Sequence, residues 1–562
     1  MALLASASLI PTTHLGHTSH VGPNSKNLWL RSAASSHKSK GKYCNLTVRS
    51  QADSQPEEPI GLVYTKLKPW QIPRRDWFSP EFIFGASTSA YQIEGAWDQD
   101  GKEPSTWDHF CHNYPERISD GTNGDVAADS YHLYEEDVKA LKKMGMDAYR
   151  FSISWSRILP RGRGEVNQAG IDYYNKLIDS LLCHGIVPYV TIWHWDTPQA
   201  LEVEYGGFLD RRIINDYKNF ADVCFKNFGD RVKNWFTFNE PHTYCCLSYG
   251  TGELAPGRCS SGMDCAVPEG DSLKEPYTAG HHILLAHAEA VEMFKTHYNR
   301  HEDAKIGMAL NAMSYEPYQD SFLDQQARER SMDFNLGWFL EPVIRGDYPF
   351  SMRSLIGDRL PMFTELEQAK LASSYDIMGL NYYTSRYSKH IDMSSSIMPK
   401  LNSEDAYSSS EIAGCDGNAI GPNTGTYWIY MYPKGLRDLL LIIKEKYGNP
   451  PIFITENGIA DVDGDETMPD PLDDWKRLDY LQRHISAVKD AIDQGADVRG
   501  HFTWSLIDNF EWGSGYTSRF GLVYIDKKTL TRKLKKSAEW FGKFNGPKRL
   551  LGTTKPTGQA TL

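Results

Sequence analysis

Eight short apolar runs of strand character, separated by stretches of helical periodicity, restrict this chain more tightly than any other feature it carries. The runs cover residues 82–85, 148–153, 187–192, 232–237, 306–310, 377–380, 452–455 and 500–504. Helix-period segments between them include 134–144, 171–184, 283–298 and 436–446. Strands that alternate with helices pair in parallel, and none of these units carries a dinucleotide-type glycine fingerprint. The pattern therefore predicts an α/β fold, a single closed (β/α)8 TIM barrel and not a doubly wound sheet. Spacings of about 35–75 residues between runs exceed a minimal unit, so several βα loops must be long. No repeat period is short enough for a solenoid.

The chain has 562 residues, 40% of them hydrophobic, which supports a large core and excludes a disordered or collagen-like chain. Its 60 Lys and Arg against 72 Asp and Glu give a net charge of −12. No basic run with interleaved aromatics crosses the body, so a nucleic-acid partner is not expected. No stretch approaches the roughly 18 consecutive apolar residues of a membrane span, so no membrane partner is expected either. The charge is uneven. Residues 1–50 hold no Asp or Glu, six Lys or Arg and thirteen Ser or Thr, which leaves 54 cations against 72 anions, −18, for the remainder. Such an acid-free, hydroxyl-rich, basic leader has the composition of an organelle transit peptide. A secretory signal competes, because residues 2–10 are mildly apolar. Against it, no basic residue precedes that patch, and the one glycosylation acceptor, Asn45-Leu46-Thr47, falls inside the leader. Plastid import is the expectation, with residues 51–75 a polar linker, 76–546 the folded body and 547–562 a polar C-terminal tail.

Nine cysteines are too few and too scattered for a disulfide scaffold in so long a chain. Cys259 and Cys265 stand apart, because the loop between them is short enough to close as a local disulfide clamp, and two thiols without a nearby His make zinc the weaker alternative. Cys183 and Cys224 lie in apolar helical surroundings and are expected to be small core residues. His109 and His112 flank Cys111 with too few converging ligands for a metal, and a surface loop is expected there. No metal and no organic cofactor is expected.

In a barrel of this kind, chemistry gathers where strands end and loops begin. Polar and aromatic residues cluster at those ends: Gln92 after the first run, Arg150 in the second, His194-Trp195, Asn239-Glu240-Pro241, Asn381-Tyr382-Tyr383, Glu456-Asn457-Gly458, then Trp504 with Glu511-Trp512. Glu240 and Glu456 follow apolar runs that lie across the barrel from one another. Pro241 is expected to push Glu240 into extended geometry and out of the following helix. Two carboxyls facing over an aromatic-lined pit suit acetal hydrolysis, where one protonates the leaving oxygen and the other attacks or directs water. Arg150 can hold a nearby carboxylate ionised while a less solvated partner keeps its proton, and spacing alone does not say which is which. Taken singly, His194 could be a satisfied core histidine and Trp504 a barrel filler.

These residues resemble glycoside hydrolase family 1, the retaining β-glucosidases, over residues 76–546. Phe84-Gly85-Ala86-Ser87-Thr88-Ser89-Ala90-Tyr91-Gln92-Ile93-Glu94-Gly95 is similar to the family's N-terminal signature, Thr237-Phe238-Asn239-Glu240-Pro241 to its acid/base motif and Ile454-Thr455-Glu456-Asn457-Gly458 to its nucleophile motif. The resemblance implies Glu240 as acid/base, Glu456 as nucleophile, a covalent glucosyl intermediate and retention of configuration. It implies that Arg150 and Tyr383 support the nucleophile. It also implies a glucose cradle of Gln92, His194, Asn239, Glu456, Glu511 and Trp512 over a Trp504 floor. Glu511 is expected to exclude 6-phosphosugars by charge, and Glu240, where thioglucosidases carry Gln, favours O-glycosides.

Within the family the chain is most similar to the grass plastid enzymes that act on benzoxazinoid glucosides, with cyanogenic or phenolic glucosidases as the alternative. That similarity assigns Trp428 to one wall of an aglycone slot and Leu247, Leu254, Gly513, Ser514 and Phe520 to the facing positions. It further implies a small β-glucoside substrate and a homo-oligomer. A non-catalytic sugar-binding barrel is the competing class, weakened by the presence of both carboxylates.

Overall fold

Each of the eight apolar runs becomes a strand of one closed, all-parallel barrel in the computed structural model, which describes residues 67–299, 303–394, 398–462 and 470–546. The strands are β1 Ile83–Ser87, β2 Ala148–Ser152, β3 Val187–Trp193, β4 Asn234–Asn239, β5 Lys305–Asn311, β6 Met378–Asn381, β7 Ile452–Glu456 and β8 Val498–Trp504. Each pairs with its sequence neighbours, and β1 closes on β8 with Ile83 opposite Gly500 and Ser87 opposite Trp504. The principal connecting helices are α1 Ser130–Lys143, α2 Gln168–Cys183, α3 Ile213–Phe228, α4 Glu275–Met293, α5 Phe322–Met332, α6 Pro433–Tyr447, α7 Trp475–Asp493 and α8 Lys536–Asn545. The expected segment 283–298 falls on α4 and the π-helical turn Phe294–Tyr298 that continues it.

Helix α6 shows how sequence dictates such an element. Pro433 opens it, where a missing N–H costs nothing, and Gly448 closes it in the left-handed conformation at φ 74°. Between them Leu436, Leu439, Leu440, Ile443 and Tyr447 recur at helical spacing, and all are buried. Inside the barrel, Ala148, Tyr189, Phe236, Ala309, Ile377, Phe453 and Phe502 form a dry plug, with the Tyr189 ring centroid 4.9 Å from that of Phe502 and 5.4 Å from that of Phe453. That plug is the floor on which the polar ends of the strands stand.

Two expectations are corrected. Residues Thr106–Asn113, around Cys111, form an α-helix and not a surface loop, because Ser105 and Asp108 exchange the reciprocal hydrogen bonds of a capping box and bury Cys111. Cys224 is buried as expected, but Cys183 is exposed, lying on the solvent side at the end of α2. Cys259 and Cys265 are joined by a disulfide, with Cα atoms 6.2 Å apart. Ahead of residue 76, Pro69–Gln71 forms a 3-10 turn whose Gln71 carbonyl accepts a 3.4 Å hydrogen bond from Ser486 on α7. The leader, residues 51–66 of the expected linker and the tail 547–562 lie outside the described residues.

The turn leaving β7 explains its own glycine. A Cβ on Gly458 would lie 1.9 Å from the Trp504 carbonyl oxygen at the end of β8, so no larger residue fits without moving one strand end. Gly458→Ala is expected to cost about 2 kcal/mol or more, against about 0.5 kcal/mol or less for Gly513→Ala, whose added Cβ meets nothing closer than 3.9 Å. Thermal unfolding of the two variants beside the parent protein measures the difference.

Candidate active site

Glu240 and Glu456 reach the barrel axis by the same local device. In β4, Trp235 packs outward on Phe225 of α3, and Phe236 points into the plug. Strict alternation would next send Phe238 inward, but the pairing of β4 with β5 slips between Phe236 and Asn239. Phe238 instead stacks on Tyr217 of α3 at 4.2 Å, and Asn239 turns into the barrel. In β7, Phe453 belongs to the plug, and the pairing with β6 slips between Ile454 and Glu456, which brings Glu456 inward beside Thr455. Glu240 itself stands at φ 43°, ψ 57°. That is left-handed and not the extended geometry expected before Pro241. The helix Pro241–Tyr249 starts immediately after it, so the chain must turn sharply at Glu240, and this strained conformation keeps the carboxyl out of the helix.

The two carboxyls meet opposite surroundings. Glu456 is gripped through both oxygens: Arg150 donates to Oε1 at 2.7 Å and the Tyr383 hydroxyl to Oε2 at 2.7 Å. Arg150 is fully buried and also donates to Asn239 Oδ1 at 2.6 Å. Burial pushes the Glu456 carboxyl above its ordinary value, while Arg150 and Tyr383 pull the other way. Glu240 has only neutral partners, Asn381 Nδ2 on Oε1 at 2.8 Å and the Thr243 hydroxyl on Oε2 at 2.8 Å. Burial and the Glu456 charge push it up to about 7. Glu456 thus has a cation and a hydroxyl that favour its anion against burial, whereas Glu240 has no cation in contact, the asymmetry that acid-assisted nucleophilic displacement needs.

Around this pair the remaining expected residues fall into three groups. Asn239 Nδ2 faces His194 Nε2 at 3.0 Å, so that nitrogen accepts and the proton is assigned to Nδ1, which is buried and has no partner among the described residues. Burial and Arg150 hold His194 well below the ordinary imidazole range, so it is neutral. Trp504 and Trp512 lie nearly parallel to its ring at 5.8 and 6.0 Å. Gln92 donates to Glu511 at 3.3 Å, and Glu511 is pushed up to about 8 by burial and by Glu456. The charge by which Glu511 is expected to repel phosphate is therefore developed only above that pH. As a neutral acid it can both give and take a hydroxyl's hydrogen bonds.

The second group flanks Tyr383: Trp428 lies 5.6 Å away and Phe520 6.1 Å, ring to ring. The third is spread over a helix end and two loops, with Leu247 in the helix Pro241–Tyr249 joined to Leu254 by a 3.1 Å backbone hydrogen bond and Gly513 and Ser514 in the turn that follows Glu511. The pattern of strand ends names Asn381 and Trp195 without giving them a role, and it misses Thr243 and Asn509, which also hold the site. Asn381 spans Glu240 and Asn239 and has its amide oriented by Thr455, which donates to Oδ1 at 2.6 Å. Thr243 sits three residues after Glu240 in the first helical turn. Trp195 donates to the Asn239 carbonyl at 2.9 Å, and Ser89 and Asn509 fix the Gln92 amide.

A pKa raised by folding has a sign. Glu240 binds its proton more tightly folded than unfolded, so its contribution favours the fold at low pH and is lost as pH rises from about 4.5 through about 7. Glu240→Gln, which stays neutral, is expected to raise the thermal midpoint relative to the parent protein at pH 8 and to change it little at pH 4.5. The ceiling is about 3 kcal/mol. Paired melts at the two pH values read the effect, and an equal shift at both would contradict it.

Glycosyl hydrolase family 1 matches residues 74–549. The chain is 82% identical over all of its length, and all of the relative's, to a Triticum aestivum protein named 4-hydroxy-7-methoxy-3-oxo-3,4-dihydro-2H-1,4-benzoxazin-2-yl glucoside beta-D-glucosidase 1d, chloroplastic. A Secale cereale protein named as the chloroplastic beta-D-glucosidase of the same glucoside is 78% identical over 100% of this chain and 99% of its own. Among solved structures, a rice β-glucosidase mutant in a covalent complex with Glc aligns with a TM-score of 0.81 at 45% identity, over 84% of this chain and 98% of that one. The matched span takes in the whole barrel and every residue of the pit, and the chain belongs to glycosyl hydrolase family 1.

Proposed function

We propose that this enzyme, a retaining β-glucosidase, uses Glu456 as nucleophile and Glu240 as acid/base to hydrolyse benzoxazinoid β-glucosides in the plastid. The observation that carries the assignment is the unequal grip on the two carboxyls, Arg150 and Tyr383 on Glu456 and only neutral donors on Glu240. In the first step a Glu456 oxygen bonds to the anomeric carbon as the glycosidic bond breaks, and the Glu240 proton passes to the departing oxygen. In the second, the Glu240 carboxylate takes a proton from water as the water oxygen bonds to the anomeric carbon and Glu456 is released. Two inversions leave the sugar in its original β configuration.

Gln92, His194, Asn239, Glu511 and Trp512, with Trp504 beneath them, are read as the glucose cradle. The buried, unpartnered His194 Nδ1 supports this, because a dry hydroxyl needs a donor or acceptor for each of its bonds. Trp428, Phe520, Leu247, Leu254, Gly513 and Ser514 are read as the aglycone slot, supported by the two aromatic rings beside Tyr383. The benzoxazinoid substrate follows the names of the wheat and rye relatives at 82% and 78% identity. The acid-free leader and the chloroplastic names of those relatives agree on the plastid. A homo-oligomer is supported by large apolar side chains left exposed at Phe350, Met362 and Leu366, and light scattering tests it.

Purified protein is expected to release nitrophenol from nitrophenyl β-glucoside and to deliver β-glucose first, as read by proton NMR. Glu456→Gln should lose at least about a thousandfold in kcat. Comparable residual rates for the two proteins would support the sugar-binding alternative. Azide is expected to rescue Glu240→Gln in part. The rate should fall on the acid side as Glu456 is protonated, above pH 4.5, and on the alkaline side near 7 as Glu240 ionises. A higher kcat/KM on the cyanogenic glucoside dhurrin than on the benzoxazinoid glucoside would overturn the substrate assignment.

A further inference from the structure

Glu240 must hold a proton in the first step and lack it in the second, so its partners have to suit both forms. On Oε1 the partner cannot change. The amide of Asn381 is oriented by Thr455, whose hydroxyl donates to Oδ1 at 2.6 Å, so Nδ2 faces Glu240 Oε1 at 2.8 Å and can only donate. A carbonyl-type oxygen accepts such a bond better than a hydroxyl oxygen, and the acid proton is therefore directed to Oε2. On Oε2 the partner is the Thr243 hydroxyl at 2.8 Å, a rotor able to donate or to accept.

We propose that Thr243 is a positioning residue for the acid/base, its hydroxyl reversing direction as Glu240 Oε2 loses and regains its proton. Before substrate binds, the Oε2–H of the acid is held by Thr243 as acceptor. As the proton passes to the leaving glycosidic oxygen, the Thr243 hydroxyl swings to donate and stabilises the carboxylate that forms. When that carboxylate takes a proton from water, the hydroxyl swings back. Thr243 supplies no proton of its own.

This inference rests on the assignment of Glu240 as acid/base. Other charged or titratable groups face Glu240 from the surrounding strand ends: Arg150 on β2, Tyr383 after β6, Glu456 on β7 and Glu511 after β8. None of them bonds to Oε2. The Thr243 bond lowers the Glu240 pKa against the upward push of burial and Glu456.

The test measures kcat/KM against pH for the parent protein, Thr243→Val and Thr243→Ser on two aryl glucosides, one with a dinitrophenyl leaving group that departs unaided and one with a phenol that needs protonation. Thr243→Val is expected to move the alkaline limb up by about half to one pH unit. It should lose about tenfold on the phenyl glucoside at pH 6 and severalfold less on the dinitrophenyl one. Thr243→Ser should restore both, and thermal melts check that each variant is folded. Unmoved pH limbs in folded Thr243→Val, or equal losses on the two substrates, would overturn the proposal. Glu240→Gln separates this from failure of the underlying assignment: if that variant keeps the parent rate on phenyl glucoside, the acid/base assignment fails, whatever Thr243 does.

Discussion

The site depends on one buried ion pair, Arg150 with Glu456. Both side chains are almost wholly shielded from water, at 0% and 4% exposure, so neither charge can be left without the other. A cation buried alone would cost several kcal/mol, and so would the anion. Neighbours secure the pair: Arg150 lies 5.7 Å from the centroid of Phe236 in the plug, Asn239 takes its second amino group, and Tyr383 takes the second oxygen of Glu456. The field of that fixed anion then acts outward. Burial and that anion together raise Glu240 to about 7 and Glu511 to about 8, so three carboxyls crowd one pit and only Glu456 has a cation in contact. Burial opposes ionisation of all three, and Arg150 offsets it most directly at Glu456, which it touches.

The alternation of a regular strand would not deliver this arrangement. Two slips of register, at Phe236/Asn239 and Ile454/Glu456, turn the last residues of β4 and β7 inward, while the residues before them keep their places in the plug and against the outer helices. Below the pit the barrel is largely regular, with one further slip between Ile452 and Phe453 where β7 pairs with β8. Glu240, Trp195 and Trp512 at that end are left-handed, as are residues elsewhere such as Ser373 and Asn449. That strain is sustained by the packing beneath it, which includes the aromatic plug and fully buried side chains such as Trp193 and Tyr244.

This asymmetry explains what the sequence discloses and what it conceals. All eight strands were legible because apolar runs buried on both faces are a strong local signal, and long helices such as α6 carry their own start, stop and stripe. Glu240 and Glu456 were legible as strand ends, and Arg150 and Tyr383 as their supports through family resemblance. The slips were not, because a bulge is a relation between two strands and leaves no mark in either one. Asn381 was visible only as one member of a polar triplet, since its role depends on Thr455 across the sheet. The helix at Thr106–Asn113 was legible in principle, from Ser105 and Asp108 at capping-box spacing, but the two histidines drew attention to the segment as a loop.

The proposed aglycone wall is the part least legible in the sequence, for a physical reason that also bears on specificity. Most of the residues proposed to face glucose are tied to strand ends or to one another through buried hydrogen bonds, although Glu511 and Trp512 share the turn that carries Gly513 and Ser514. Trp428, Leu254, Gly513 and Ser514 stand instead on separate long loops, one strapped by the Cys259–Cys265 disulfide and one held by Ser119, which donates to the Gly513 carbonyl at 2.8 Å. Loops held by such local ties can be exchanged without disturbing the Arg150–Glu456 pair or the plug below it. Under the proposed assignment, recognition of the sugar is therefore coupled to the stability of the fold, whereas the choice of aglycone would rest on segments that can change with little cost to it.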